Sequence, residues 1–481
     1  MNIEKRLSRI SMLSRSDSIR NLKLTKYGII AGVILVSMIV AMRPTSRLPF
    51  MVIGLLMAAV AAFFLLRNLS IGLLGIILAC FFIPNFLGEG GLGNTISPPV
   101  LLLLLLIGLW FVDMVARQKR IALFGSRTTL PALILLVITL IAFFNGQISY
   151  YTFTHPAPIT AQIGGMVVFL LSIGAFVVVG NSINDLKWLK RLTWLFLSIS
   201  ALYILVRLFP LMGNLILPRF QYGSYGSIFW IWIVAISSSQ AIFNQQLDKR
   251  WRVALIGLFL ATLYVGIYQS YSWKSGWIPP LIAFFVILWV GFPRFRVALL
   301  AMAIIALFLS SASKLGDLIS SGEDYSILTR LPAWEIVLTL SKANPFLGLG
   351  FANYFWYTPL IPILGYRLYF NSHNNYIDII AQTGLIGLAC FLWLAFELGR
   401  VGWEMNKKLP DGFSRAYVIG VLGGLAGTLA SGMLGDWILP FVYNIGLSGF
   451  RSSLLGWMFF GGLLAIERLY AGGSDSIVEK T

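Results

Sequence analysis

From residue 27 to residue 466 the chain alternates apolar runs with short polar or basic stretches. The runs fall at 27–42, 48–66, 71–86, 100–112, 130–144, 163–179 and 192–209, then at 228–243, 253–268, 278–290, 297–309, 376–398, 417–439 and 454–466. Lipid offers no hydrogen bonds, so an apolar segment that crosses it must satisfy its own backbone groups, which a helix does. Several runs are shorter than the roughly 20 residues a straight helix needs to cross about 30 Å, so helix ends several residues away from these bounds are expected. The tenth and eleventh runs are divided by Pro293. The pattern predicts an all-α, polytopic transmembrane helix bundle of about 14 spans, with 12 as the lower bound.

One connection differs from the others. Between about residues 310 and 375 the chain leaves the apolar pattern for a long loop, and connections of such length tend to be functional. Within it Arg330, Pro332, Trp334, Ile336, Val337 and Leu340 predict a short amphipathic helix lying on the membrane surface, with Pro332 in its first turn and Pro345 beyond its end. The organisation that follows is a basic segment 1–26, a first group of about 11 membrane helices over 27–309, the long loop 310–375, a final group of about three over 376–470, and a tail 471–481.

Composition supports a membrane protein. Hydrophobic residues occupy 58% of the 481 positions and charged residues only 11%, against about 25% charged in an ordinary soluble globule. A net charge of +18 could suggest nucleic acid, but the basic residues sit at the ends of apolar runs instead of along one face. With residues 1–26 held in the cytoplasm by their positive charge, alternating loops place 26 of the 36 basic residues on the cytoplasmic side. Both termini are then cytoplasmic, the long loop is periplasmic or extracellular, and anionic lipid headgroups are the expected partners of the basic segment. Cys80 and Cys390 lie inside apolar runs, the chain has two histidines, and no suitably spaced pair of acids stands out in the outer loops. No metal site and no cofactor are therefore expected. Span centres almost free of ionisable side chains also argue against an ion-driven pump.

The most informative stretch is Asn371, Ser372, His373, Asn374, Asn375 and Tyr376, which stands just before the twelfth run. His373 and Asn374 are followed nine residues later by Gly384, and three further on by Gly387. Upstream, Arg330 and Trp334 precede Asn344 and Pro345, which run into Gly348 and Gly350. This constellation resembles the O-antigen ligase and polymerase superfamily of bacterial membrane glycosyltransferases, over roughly residues 219–388. Arg219, in 218–223, resembles the arginine that opens a glycine-containing loop before a span in that family. Lys274, in 269–276, falls where the family commonly carries an arginine, and Leu388 replaces the small hydroxyl residue typical of ligases after the second glycine.

The resemblance implies transfer of a glycan from a polyprenyl (undecaprenyl) diphosphate carrier to an acceptor hydroxyl on a sugar, glycolipid or protein anchor. It places the reaction on the outer face of the cytoplasmic membrane and implies inversion at the anomeric carbon. Without a metal, the leaving diphosphate would be held by fixed cations, since charge-assisted hydrogen bonds to phosphate are each worth about 1.5–3 kcal/mol. Arg219, Lys274 and Arg330 are the diphosphate-binding candidates, and each could instead snorkel to lipid headgroups. His373 is the catalytic candidate: a neutral imidazole can accept the acceptor's proton at neutral pH or donate a hydrogen bond to the diphosphate. Asn374 and Trp334 are supporting or acceptor-binding candidates, and a helix N-cap explains Asn374 equally well. Asp436, beside Trp437, is a candidate second acid or ion-pair partner of Arg219 or Arg330. Gly384 and Gly387 are expected to permit close helix packing. Tyr150, Tyr151, Phe153 and His155 read as an interfacial belt, with stacking on sugar rings as the alternative. Ligase and polymerase stay open, as does the oligomeric state, and a lipid-linked oligosaccharide flippase or polysaccharide exporter is the rival reading.

Overall fold

The computed structural model describes residues 68–83, 97–117, 119–120, 122–209, 213, 223–312 and 324–473. The first two predicted spans, the basic segment 1–26, Arg219 and most of the tail lie outside the described residues. The described helices, in chain order, are α1 (Leu69–Phe82), α2 (Pro98–Val112), α3 (Thr129–Asn145), α4 (Ile159–Ser182), α5 (Leu186–Leu208), α6 (Ser227–Phe243), α7 (Lys249–Tyr264), α8 (Lys274–Gly291), α9 (Arg296–Ala312), α10 (Asp324–Ser341), the single turn α11 (Asn353–Tyr357), α12 (Asn375–Lys408), α13 (Phe413–Leu434) and α14 (Gly446–Ala471). Among the described residues there is no strand beyond one bridge pairing Ile363 with Tyr366.

Each of the third to fourteenth apolar runs falls on one of these helices. Eight of the described helices are long and apolar enough to cross a membrane: α2 and α7, each extended by a π turn, with α4, α5, α8, α12, α13 and α14. α1, α3 and α6 are apolar but shorter. The chain is an integral membrane protein built of helices.

Burial sorts the helices by position. α6 is buried on every side from Ser227 to Ala241 and packs against α7, α8, α13 and α14. Its Trp232 stacks on Phe459 of α14 at 4.7 Å. Gly423 and Gly427 of α13 face the backbone carbonyls of Ala283 and Pro279, so α13 and α8 approach closely, as small residues allow between membrane helices. α2 and α7, with Leu101, Leu104, Leu260 and Tyr264 exposed, present apolar side chains outward to lipid.

Two ends of the bundle differ in charge. Arg127, Lys187, Arg250, Lys407, Lys408, Arg415 and Arg468 all lie at the helix ends opposite Asn145, Ala157, Asn375 and Leu434, and it is this second set of ends that carries the 324–375 segment. At that same end Arg451, fully buried, donates to the carbonyls of Ala79, Cys80 and Ile83, the last turn of α1. A cation there meets the negative end of the helix dipole and the carbonyls left over by the helix.

Two expectations are corrected here. The amphipathic helix begins well before Pro332: α10 runs from Asp324 to Ser341 with the proline inside it. Its apolar stripe, Ala333, Ile336, Val337 and Leu340, is buried, which holds the helix together across the missing N–H. Gly384 and Gly387 do not act as a packing stripe between two continuous helices. Gly384 takes φ +71° and breaks α12, and residues 345–350 dock into the break. Leu349 N–H donates to Ala381 O at 2.7 Å and Gly350 N–H to Gln382 O at 3.2 Å, while Leu385 N–H donates to Pro345 O at 2.8 Å and Ile386 N–H to Phe346 O at 3.3 Å. Groups freed by the break are thus paired by protein backbone, the condition for irregular chain at membrane depth.

Candidate functional site

The candidate site lies over the start of α12, where three stretches meet: α10, residues 369–375, and the 435–445 connection between α13 and α14. Asn374 starts α12 by accepting the N–H groups of Tyr376 and Ile377 on its side chain. The residue before it, His373, is thrown into the left-handed region at φ +48°, a conformation His adopts more readily than most non-glycine residues. Beneath this turn the Ser372 hydroxyl donates to Asp378 Oδ1 at 2.7 Å, and Tyr354 O–H donates to the same oxygen at 2.6 Å. From α10, Trp334 Nε1 donates to Ser372 O at 2.7 Å. Trp334 and Asn374 therefore prop the turn that presents His373, and Asn374 is the helix cap.

His373 and Arg330 line one open cavity of about 410 Å³, with Thr329, Asn371 and Ser372 among its polar lining. Arg330 reaches it from α10 and spends one N–H on Leu434 O at 3.3 Å. Its buried Nε has no partner among the described residues, and an unpaired buried donor of this kind calls for an explanation such as a ligand. Burial lowers the guanidinium below its ordinary value. Burial, and after it the charge of Arg330, also lowers the His373 imidazole below 6.5, so His373 is neutral at pH 7.

Asp436 is not an ion-pair partner of Arg330. Its carboxylate accepts Phe441 N–H at 2.9 Å and Asn444 Nδ2 at 2.6 Å, and burial pushes its pKa up to about 6. The same Asn444 nitrogen lies 3.4 Å from His373 Nδ1. A carboxylate acceptor turns the amide nitrogen towards itself, so Asn444 meets the imidazole as a donor, Nδ1 is left as the acceptor, and Nε2 carries the proton of the neutral ring.

Lys274 is at the start of α8 and does not line this cavity. Its Nζ is buried with no partner among the described residues, and the adjoining Trp273 packs on Trp437, next to Asp436, with ring centroids 5.8 Å apart. Of the outer aromatics of 150–153, Tyr150 and Tyr151 are tied into the structure while Phe153 is exposed. Tyr150 O–H donates to Asn145 Oδ1 at 2.7 Å and Tyr151 O–H to Leu340 O at 2.8 Å, tying the end of α3 to the long loop.

Sequence reasoning missed Asn444, Tyr354, Asp378 and the aromatic wall of the cavity: Phe355, Tyr369 and Tyr443. Their distances along the chain from His373 carry no pattern that would have singled them out; Asp378, one helical turn into α12, was the nearest visible signal.

What these elements define is a helical membrane protein with a polar cavity mounted on a broken helix, lined by an arginine and a histidine. The profile of the O-antigen ligase family matches residues 256–392. That match carries Lys274, Arg330, Trp334, His373 and Asn374, so this part of the chain is similar to the O-antigen ligase family. No curated protein matches the chain.

Proposed function

We propose that this protein is a membrane glycosyltransferase that moves a glycan from a polyprenyl diphosphate carrier to an acceptor hydroxyl on the outer face of the cytoplasmic membrane, without a metal. The observation that carries this reading is the convergence of Arg330, with an unspent buried donor, and a neutral His373 on one cavity. In the reaction the bond between the anomeric carbon and the diphosphate oxygen breaks, the diphosphate leaves with the electron pair, and the acceptor oxygen bonds the anomeric carbon on the opposite face while its proton passes to water in the open cavity. Arg330 meets the charge that grows on the leaving group, where a prearranged donor is most effective. His373, with its proton on Nε2, donates to a diphosphate oxygen from the other side. Arg219 and Lys274 remain proposed diphosphate ligands, Lys274 through its unpartnered Nζ. In this reading charge stabilisation falls to these cations.

The test is transfer in vesicles containing purified protein and a lipid-linked donor, run with donor alone and with donor plus an anchor lipid, each with and without chelator. Chain growth with donor alone identifies a polymerase and transfer only to the anchor a ligase. His373→Ala and Arg330→Ala are each expected to cut turnover by about 10²–10³ while the protein inserts normally. Wild-type turnover in both variants, or inhibition by chelator, overturns the proposal.

A further inference from the structure

The cavity has two walls of different chemistry. Arg330, Asn371, Ser372 and His373 supply the polar one; Phe355, Tyr369 and Tyr443 supply the other. Those three rings form a stack. Phe355 lies against Tyr443 with centroids 4.5 Å apart and planes 23° from parallel, and against Tyr369 at 5.4 Å and 21°. Trp356 clamps the two outer members: its ring meets Tyr369 edge-on at 5.5 Å, and its Nε1 donates to the Tyr443 hydroxyl at 2.8 Å. Tyr443 is the buried end of the stack at 8% exposure and Tyr369 the open end at 56%. Tyr369 therefore packs on Phe355 and Trp356 and still leaves more than half of its surface open.

We propose that this stack, ending at Tyr369, is the binding platform for one pyranose ring of the glycan, beside the diphosphate end of the cavity. The proposal rests on the glycan-transfer reading of the same site. The negative face of an aromatic ring attracts the weakly positive C–H face of a pyranose, as it attracts any positive edge. Fixing Tyr369 between Phe355 and Trp356 removes the rotamer entropy a free tyrosine would lose on binding. The volume, about 410 Å³, lies within the range of small-molecule sites. An alternative occupant of an exposed tyrosine, with Leu364, Tyr366 and Leu368 exposed nearby, is the membrane interface. The shared lining decides against it: all three rings line the same cavity as Arg330 and His373.

The ring can come from the donor glycan or from the acceptor. Full-length protein in detergent would be probed by saturation-transfer NMR with a mixture of methyl pyranosides of glucose, galactose, mannose, N-acetylglucosamine and rhamnose. Saturation is expected on the C–H protons of one ring face in wild type, in Tyr369→Phe and in His373→Ala, and is expected to vanish in Tyr369→Leu. Tyr369 is exposed, so this substitution leaves the packed core intact. In the vesicle assay Tyr369→Leu is expected to raise one KM by about three- to tenfold, the size of a single aromatic stack. A rise for the donor assigns the ring to the donor, a rise for the acceptor to the acceptor. Undiminished saturation in Tyr369→Leu, or none in wild type, overturns the platform. Saturation that depends on Tyr369 in a protein that transfers no glycan would overturn the transfer reading and leave the platform standing.

Discussion

His373 depends on residues that a reading along the chain would pass over. Its backbone conformation is set by Ser372, Asp378 and Tyr354 below it, and its ring nitrogen is faced by Asn444, which is itself turned by Asp436. Asp436 is thus a positioning residue, and its ionisation has consequences that can be measured. Burial raises its folded-state pKa from the ordinary 3.8 to about 6. For a raised group the stabilisation is complete below the unfolded value and is lost as pH rises to the folded one. Wild type should therefore gain stability over Asp436→Asn on acidification from about pH 6 towards 4, read as the difference in thermal midpoints across pH. Activity should run the other way. Once protonated, Asp436 no longer fixes the amide of Asn444, so turnover should fall below about pH 6, and Asp436→Asn should lose that acid limb along with part of its rate. A limb that persists in the variant would assign it to another group.

At the scale of the element, the broken helix α12 is what aims the site. An unbroken helix would offer no place for residues 345–350, which connect α10 to the turn α11 beneath His373. A side chain at Gly384 would sit 2.1 Å from Phe346 O, and the residue has φ +71°, so Gly384→Ala meets both a backbone clash and a strained conformation. A loss of at least about 3 kcal/mol, or failure to insert, is expected in unfolding or detergent-stability assays. Gly399→Ala, fifteen residues further along the same helix, is the control. A Cβ there meets Leu425 Cδ2 at an ordinary 3.7 Å, so a change within about 1 kcal/mol is expected. The glycine spacing that carries the family resemblance was visible in the sequence, but its meaning was not. Two glycines three apart suit a packing stripe as well as a break, and only the partner segment distinguishes them.

For the molecule as a whole, the basic loops gather at the end opposite the cavity, the distribution expected when that end faces the cytoplasm. Sidedness can be read with single cysteines, because both native cysteines are buried. Phe153→Cys, at a position 92% exposed near the cavity end, is expected to react with a membrane-impermeant maleimide added outside spheroplasts. Lys408→Cys, at the opposite end, is expected to react only after permeabilisation. The reverse pattern would put the cavity in the cytoplasm and remove the lipid-linked donor on the outer face as its substrate.

Apolar runs longer than a soluble core would tolerate, with charge confined to their ends, already determined a helical membrane protein and located its described apolar helices to within several residues, because lipid leaves the backbone no other solution. The sequence also picked out Arg330, Trp334, His373 and Asn374 as one neighbourhood, since they share a single loop. Residues that meet only through folding were beyond its reach. Lys274 stands apart from the cavity wall, Asp436 turns to Asn444 instead of an arginine, and the aromatic stack draws Phe355, Tyr369 and Tyr443 from two separate loops. Those pairings depend on how α10, the break in α12 and the turn after α13 are packed together in three dimensions, and no local periodicity encodes that distance.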